Sequence, residues 1–77
     1  ARDKEVAVRF GHRLRALRSA ASLSQETLAH TAGLHPTFIS NVERGYSSPT
    51  LETILKLAGA LAVEPGELIN GLDRPDA

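Results

Sequence analysis

The sequence predicts an all-α fold, a single compact domain of five short helices spanning residues 1–77. Apolar residues recur at spacings of three and four along most of the chain, which is the period of an amphipathic helix. The alternating pattern typical of strands is nearly absent. A chain of 77 residues forms one domain with a modest core.

The first helix is predicted over residues 4–21. Its apolar stripe consists of five residues spaced three or four apart: Val6, Phe10, Leu14, Leu17 and Ala21. Three arginines lie off this stripe and are expected to form a solvated face: Arg9, Arg13 and Arg15. A stripe with charges opposite is typical of a helix packed on a small core.

Two short helices follow, over about 24–31 and 36–43. Ser24 is a good N-cap for the second helix, and Gly33 fits the position just after its end, where φ is positive. Pro36 suits the first turn of the third helix because its missing N–H is not needed there. His35 would then be the cap residue, and Gly45 would end the helix.

A fourth helix is predicted over 50–62, capped by Thr50, and a short fifth helix begins at Pro65. The apolar face of the fourth helix is expected to contain Leu51, Ile54, Leu55, Ala58 and Leu61. Residues 73–77 are expected to be a flexible tail.

Composition excludes several classes of protein. The absence of Cys rules out disulfides and thiolate metal sites. His12, His30 and His35 do not form an i, i+4 pair with a carboxylate partner, so no catalytic residue, metal or cofactor is predicted. No apolar run reaches membrane-span length and no signal-peptide core follows the N-terminus, so a cytoplasmic protein without a membrane partner is expected.

The zero net charge conceals an asymmetry. Residues 1–48 contain seven basic and four acidic residues, a net charge of +3, whereas residues 49–77 contain two basic and five acidic residues, a net charge of −3. Two surfaces with different tasks would explain this division, and chance is the alternative.

The second and third helices fit the frame of a helix-turn-helix at about 24–43. Ala29 supplies the small residue where the two helices cross, and Gly33 supplies the turn. Ile39 and Val42 supply branched apolar residues for the inner face of the third helix. Counted from Gln25, these are positions 5, 9, 15 and 18, the spacing of a DNA-binding helix-turn-helix.

"LSQETLAHTAGLHPTFISNVERG", followed by "SPTLETILKLAGALAVEPGEL", resembles the Xre-type family of DNA-binding domains. That family includes the lambda and 434 phage repressors, Cro, and the controller proteins of restriction–modification systems. The similarity covers about residues 10–69 and rests on the "SQE" opening, the helix-turn-helix frame, the "ERG" close and the "LKLAGAL" helix. It implies a lambda-repressor-like fold and a sequence-specific transcriptional regulator that is not an enzyme.

The resemblance also implies roles for individual residues. The positions implied to face DNA bases are Pro36, Thr37, Ser40 and Asn41. The positions implied to contact DNA phosphates are Gln25, Arg44, Ser47, Ser48 and Thr50. Arg18 and Glu43 match an ion pair that joins the first helix to the third, and Arg9, Arg13 and Arg15 would add diffuse attraction to DNA.

Residues 36–41 are poor helix formers, which is reasonable if DNA covers them. Asn41 can pair bidentately with adenine, and Thr37 can meet a thymine methyl group. Pro36 departs from the family pattern because it cannot donate a hydrogen bond, so indirect readout is expected to contribute more. The alternatives are N-terminal helix chemistry for Pro36 and Thr37, and a solvated Asn41. Phe38 is expected to pack rather than to stack on a base.

A homodimer is the partner state that the resemblance implies, with double-stranded DNA as the ligand and no small-molecule effector. Its interface is expected at Val63, Leu68, Ile69 and Leu72; the alternative is that these residues only close the monomer core. A two-fold dimer implies a pseudo-palindromic operator. The alternative function is an antitoxin-like or coactivator-like interaction module whose main partner is another protein.

Overall fold

Five helices form the part of the chain that the computed structural model describes, which comprises residues 2–74 and the side chains of residues 4–74. They are α1 (Arg2–Ala20), α2 (Gln25–Ala32), α3 (Pro36–Glu43), α4 (Leu51–Leu61) and α5 (Pro65–Ile69). No strand occurs within residues 2–74. The all-α prediction is confirmed, and every predicted helix is present close to its expected bounds.

The core lies where α1, α2 and α4 meet the inner faces of α3 and α5. α1 packs on α3 and α5, α2 packs on α3 and α4, and α4 packs on α5. The largest fully buried side chains come from all five helices: Leu14, Leu28, Ile39, Val42, Leu57 and Leu68. The two short middle helices are thus held between the long first helix and the C-terminal pair.

The predicted stripe of α1 is correct at its centre and wrong at both ends. Phe10 and Leu14 are buried, whereas Val6 and Ala21 are exposed. Ala7 is buried in place of Val6, on the side of α1 that faces the loop following α3. Ala21 lies beyond the last residue of the helix and therefore has no neighbouring face to cover it.

The predicted face of α4 needs a similar correction. Leu57, Ala58 and Leu61 are buried, but Leu51 and Leu55 are 72% and 51% exposed. α4 carries more apolar residues than one helical face can bury, and contact with α2 and α5 selects the face that includes Leu57. The remaining leucines lie on the surface of the monomer.

Two of the three arginines predicted to be solvated are instead part of the fold. The guanidinium of Arg13 donates to the backbone carbonyls of Glu67 at 2.8 Å and Asn70 at 3.0 Å, and Arg9 donates to the carbonyl of Leu72 at 3.2 Å. The last carbonyls of a helix have no partner within it, so cations there satisfy them and favour its dipole. Arg13 therefore joins α1 to the end of α5, and Arg9 joins α1 to the segment that follows α5.

The chain beyond α5 remains attached to the body at least as far as residue 74. The carbonyl of Arg74 accepts a hydrogen bond from Arg9, and its N–H donates to the carbonyl of Gly71 at 3.2 Å. The rest of the predicted tail, residues 75–77, lies outside the described residues.

Candidate nucleic-acid interface

The helix-turn-helix frame predicted from the sequence is present in α2, α3 and the turn between them. Ala29 is fully buried at the crossing, and Gly33 adopts φ 72° after the last residue of α2. Ser24 caps α2 by accepting the N–H of Thr27 at 3.0 Å. The N–H of Leu34 donates to the carbonyl of Ala29 at 2.8 Å, which closes the turn and fixes the direction of α3.

α3 has one face that anchors it and one that is turned outward. Ile39, Val42 and Glu43 are buried against the rest of the domain, and Phe38 is half-buried and packs on the core. The remaining positions of the helix form a polar surface of small side chains. These are the four residues predicted to face bases, of which Thr37 is exposed and the others are half-buried: Pro36, Thr37, Ser40 and Asn41.

An unusual cap begins this helix. Nδ1 of His35 accepts the backbone N–H of Thr37 at 3.1 Å, and Pro36 occupies the first helical position. The cap satisfies one of the free N–H groups at the start of the helix, so helix chemistry accounts for part of what these residues do.

Glu43 joins three helices at the end of α3. Arg18 of α1 donates to its carboxylate through Nε at 2.6 Å and through a terminal nitrogen at 3.0 Å, while Nε2 of Gln25 from α2 donates at 3.0 Å. Arg18 also donates to the carbonyl of Leu23 at 2.9 Å. The ion pair suggested by the family resemblance is therefore formed, and Gln25 braces the same carboxylate.

The pKa of Glu43 reflects this environment. Burial alone would raise it, but the hydrogen bonds from Arg18 and Gln25 and the nearby positive charge hold the pKa of the carboxyl below its usual range. The same hydrogen bond raises the pKa of Arg18. Both groups are therefore charged at neutral pH, and the end of α3 is fixed to α1 and α2.

Four of the five predicted phosphate contacts lie between the end of α3 and the start of α4, together with Tyr46, an exposed residue that the sequence analysis did not single out. Arg44 and Ser48 are exposed, Ser47 is half-buried, and the hydroxyl of Thr50 caps α4 by accepting the N–H of Thr53 at 3.2 Å. The guanidinium of Arg44 lies 5.9 Å from the centre of the Tyr46 ring, within cation–π range.

Tyr46 is 73% exposed, and its N–H donates to the carbonyl of Asn41 at 2.9 Å. A single large aromatic residue in the polar stretch "GYSSP" was a signal that could have identified it from the sequence. The backbone bond ties this residue directly to the polar surface of α3.

The four residues expected at a dimer interface fall into two groups. Leu68 and Leu72 are buried in the monomer core, whereas Ile69 is exposed and Val63 is half-buried. In this structure Leu68 and Leu72 therefore close the core of the monomer, as the alternative given in the sequence analysis had it. Leu51 and Leu55 of α4, which the sequence analysis placed on the buried face, are also exposed.

No cluster of three or more His, Cys, Asp or Glu residues that could hold a metal ion occurs within the described part of the chain. His12, His30 and His35 are all exposed and lie on different helices or caps. Nor is any helix within residues 2–74 long and apolar enough to cross a membrane.

Comparison with known proteins identifies relatives across most of the chain. The helix-turn-helix family model matches residues 14–68. Control protein C.BamHI of Bacillus amyloliquefaciens is 42% identical over 62 residues, covering 79% of this chain and 76% of that protein.

Two solved structures show the same fold. The restriction–modification controller protein C.AhdI from Aeromonas hydrophila has 55% identity and a TM-score of 0.79, covering 80% of this chain and 94% of that one. The P22 c2 repressor, solved in complex with a synthetic operator, has 34% identity and a TM-score of 0.73, with coverage of 80% and 94%.

Proposed function

Because this chain belongs to the helix-turn-helix family, whose members similar to it are transcriptional regulators, we propose that it binds a pseudo-palindromic operator as a homodimer through the major groove. The family consists of DNA-binding proteins rather than enzymes, so the prediction that the chain is not an enzyme is confirmed. The observation that carries the proposal is the division of α3 into an anchored face and an outward polar face.

The polar face of α3 supplies the base contacts. A helix fixed by Ile39, Val42 and the Glu43 network can enter a groove without changing its own position. Asn41 has an amide that pairs bidentately with adenine, and the Thr37 methyl group can contact a thymine methyl. Pro36 contributes shape only, so DNA deformability adds to the specificity. The P22 c2 repressor, which has the same fold, was solved on an operator.

Phosphate contacts come from both ends of the helix-turn-helix. Gln25 lies at the start of α2, where helix N–H groups are available to a phosphate. Arg44 follows α3 and is exposed. The loop between Arg44 and the start of α4 supplies three further phosphate contacts: Ser47, Ser48 and Thr50. Such contacts set the position of the protein on DNA and carry no sequence information themselves.

The dimer interface includes the apolar side chains that the monomer leaves exposed. Leu51 and Leu55 lie one turn apart on α4, and Ile69 of α5 is 43% exposed. Exposed apolar residues of this size in a small domain favour contact with a second copy. A two-fold axis would place the two α3 helices about 34 Å apart, one turn of DNA.

The test is selection of a bound sequence from a random duplex pool at near-physiological salt. We expect an inverted repeat with half-site centres about one helical turn apart. On that operator, Asn41→Ala should relax the preference at one or two base pairs, while Arg44→Ala should weaken binding to all sequences alike. Absence of enrichment by the wild-type protein would contradict the proposal and would favour a protein partner.

A further inference from the structure

A groove of about 530 Å³ lies between the first turns of α1 and the loop after α3. Its lining residues come from both segments: Lys4, Ala7, Gly45, Tyr46 and Ser48. Three of them, Lys4, Tyr46 and Ser48, are exposed, so the groove is accessible from solvent. We call it the α1–loop groove. Apart from Ser48, none of its residues has a role in the contacts proposed above.

The position of the groove relative to α3 is fixed by backbone contacts. Gly45 has φ 78°, and a Cβ at this position would lie 2.7 Å from a methyl group of Val8, so only glycine lets the loop approach α1 this closely. The next residue, Tyr46, is bound through its N–H to the carbonyl of Asn41. A ligand in the groove would therefore have a defined position relative to Asn41.

The groove combines positive charge with a hydroxyl donor. Lys4 and Tyr46 both line it. The ring of Tyr46 is also in cation–π contact with the guanidinium of Arg44, which is a second cation. Ser48, whose side chain carries a hydroxyl donor, also lines the groove. An ammonium and a serine hydroxyl in one exposed groove, with the Arg44 guanidinium on the ring of the lining residue Tyr46, match the chemistry of a phosphodiester.

We propose that the α1–loop groove binds a backbone phosphate of DNA, adjacent to the phosphate contacted by Arg44. Lys4 contacts this phosphate, and Tyr46 is a positioning residue that holds the Arg44 guanidinium toward the backbone. The proposal rests on the proposed DNA-binding function and extends the footprint of each protomer to α1. This contact lies outside the helix-turn-helix and is insensitive to base sequence.

The experiment measures the dissociation constant of the selected operator duplex against NaCl concentration by fluorescence anisotropy. Lys4→Ala should weaken binding to the operator and to a scrambled duplex by the same factor, about eightfold at 0.1 M salt. The salt slope, which is the slope of the logarithm of the affinity against the logarithm of the NaCl concentration, should fall in magnitude by roughly one. Lys56→Ala, which removes the same charge from an exposed position on α4, is the matched control and should leave both unchanged.

Replacing single phosphates with neutral methylphosphonates locates the contact. One position should weaken the wild-type protein but not Lys4→Ala. Tyr46→Ala should reduce affinity and Tyr46→Phe should restore it, with the same unfolding midpoint for both, because the side chain is 73% exposed.

If the wild-type protein binds the operator and Lys4→Ala shows the same salt slope as the wild type, the groove proposal alone is overturned. A wild-type protein that binds no duplex would overturn the proposed function as well, so the two failures are distinguishable.

Discussion

Replacing Arg18 by alanine is expected to lower the free energy of unfolding by about 3 kcal/mol. The side chain of Glu43 is only 4% exposed, and Arg18 makes two of the three hydrogen bonds to its carboxylate. Removing one partner of a buried ion pair costs about 3–5 kcal/mol because the other charge stays buried. The remaining bond from Gln25 places the expected value at the lower end of that range.

Urea unfolding followed by far-UV circular dichroism is the suitable assay, since the chain is helical and contains no Trp. The thermal midpoint should fall by about 12–24 °C, given about 4–8 °C per kcal/mol for a domain of this size. Arg15→Ala removes an arginine from an exposed position on the same helix and should change stability by no more than about 0.5 kcal/mol.

A second substitution separates the two consequences of losing Arg18. Glu43→Gln in the Arg18→Ala background removes the uncompensated charge and should recover part of the lost stability. The reasoning would be refuted if Arg18→Ala came within about 1 kcal/mol of Arg15→Ala. In that case the Glu43 carboxylate would have reached solvent at little cost.

Three further predictions concern the fold. Gly11→Ala should prevent stable folding, seen as loss of cooperative thermal unfolding, because its Cβ would lie 2.4 Å from a backbone oxygen of α3. Gly59→Ala has open space at its Cβ and should instead raise the free energy of unfolding by about 0.5–1 kcal/mol. The pKa of Glu43 is lower in the folded state than its ordinary value of 4.5, so its charge should stabilise the fold above pH 4.5. This stability should be lost as the pH falls through the folded-state pKa. The dependence of unfolding free energy on pH in acid should therefore be less steep for Glu43→Gln than for the wild type, and equal slopes would contradict this. Arg13→Ala should cost about 1 kcal/mol in urea unfolding by freeing the carbonyls at the end of α5, whereas Arg15→Ala should not.

Local chemistry determined which parts of the fold the sequence could predict. Ser24 and Thr50 cap the helices that they were expected to cap, and Gly33 has the positive φ expected after α2. Each of these signals depends on residues within a few positions of one another. Helix existence and most helix bounds could therefore be predicted without knowledge of the tertiary structure.

Tertiary contacts determined the rest. The apolar residues of α4 cover more than one face, so the pattern alone could not select Leu57 over Leu51 and Leu55. The acceptors of Arg9 and Arg13 are backbone carbonyls 54–65 residues further along the chain, and a carbonyl carries no signature in the sequence. A helix face exposed to solvent and one that binds carbonyls have the same composition.

The distinction between local signals and tertiary contacts also applies to the candidate site. The pairing of Arg18 with Glu43 followed from family resemblance, and its geometry depends on α1 crossing α3. The proximity of Lys4 and Tyr46 could not be predicted, because it depends on the path of an irregular loop against α1. Their roles in DNA binding stay predictions, as do those of Asn41 and the other polar residues of α3.

The two-sided arrangement of α3 has a consequence for how such a protein can change. Ile39, Val42 and Glu43 hold the helix in place, while Thr37 and Asn41 belong neither to the core nor to the Glu43 network. Substitutions at Thr37 and Asn41 would therefore remove no contact of the core or of the Glu43 network. If the outward face contacts bases as proposed, binding preference and fold stability are separable traits in this chain, and a duplicated copy could acquire a new target by a few substitutions on one helix.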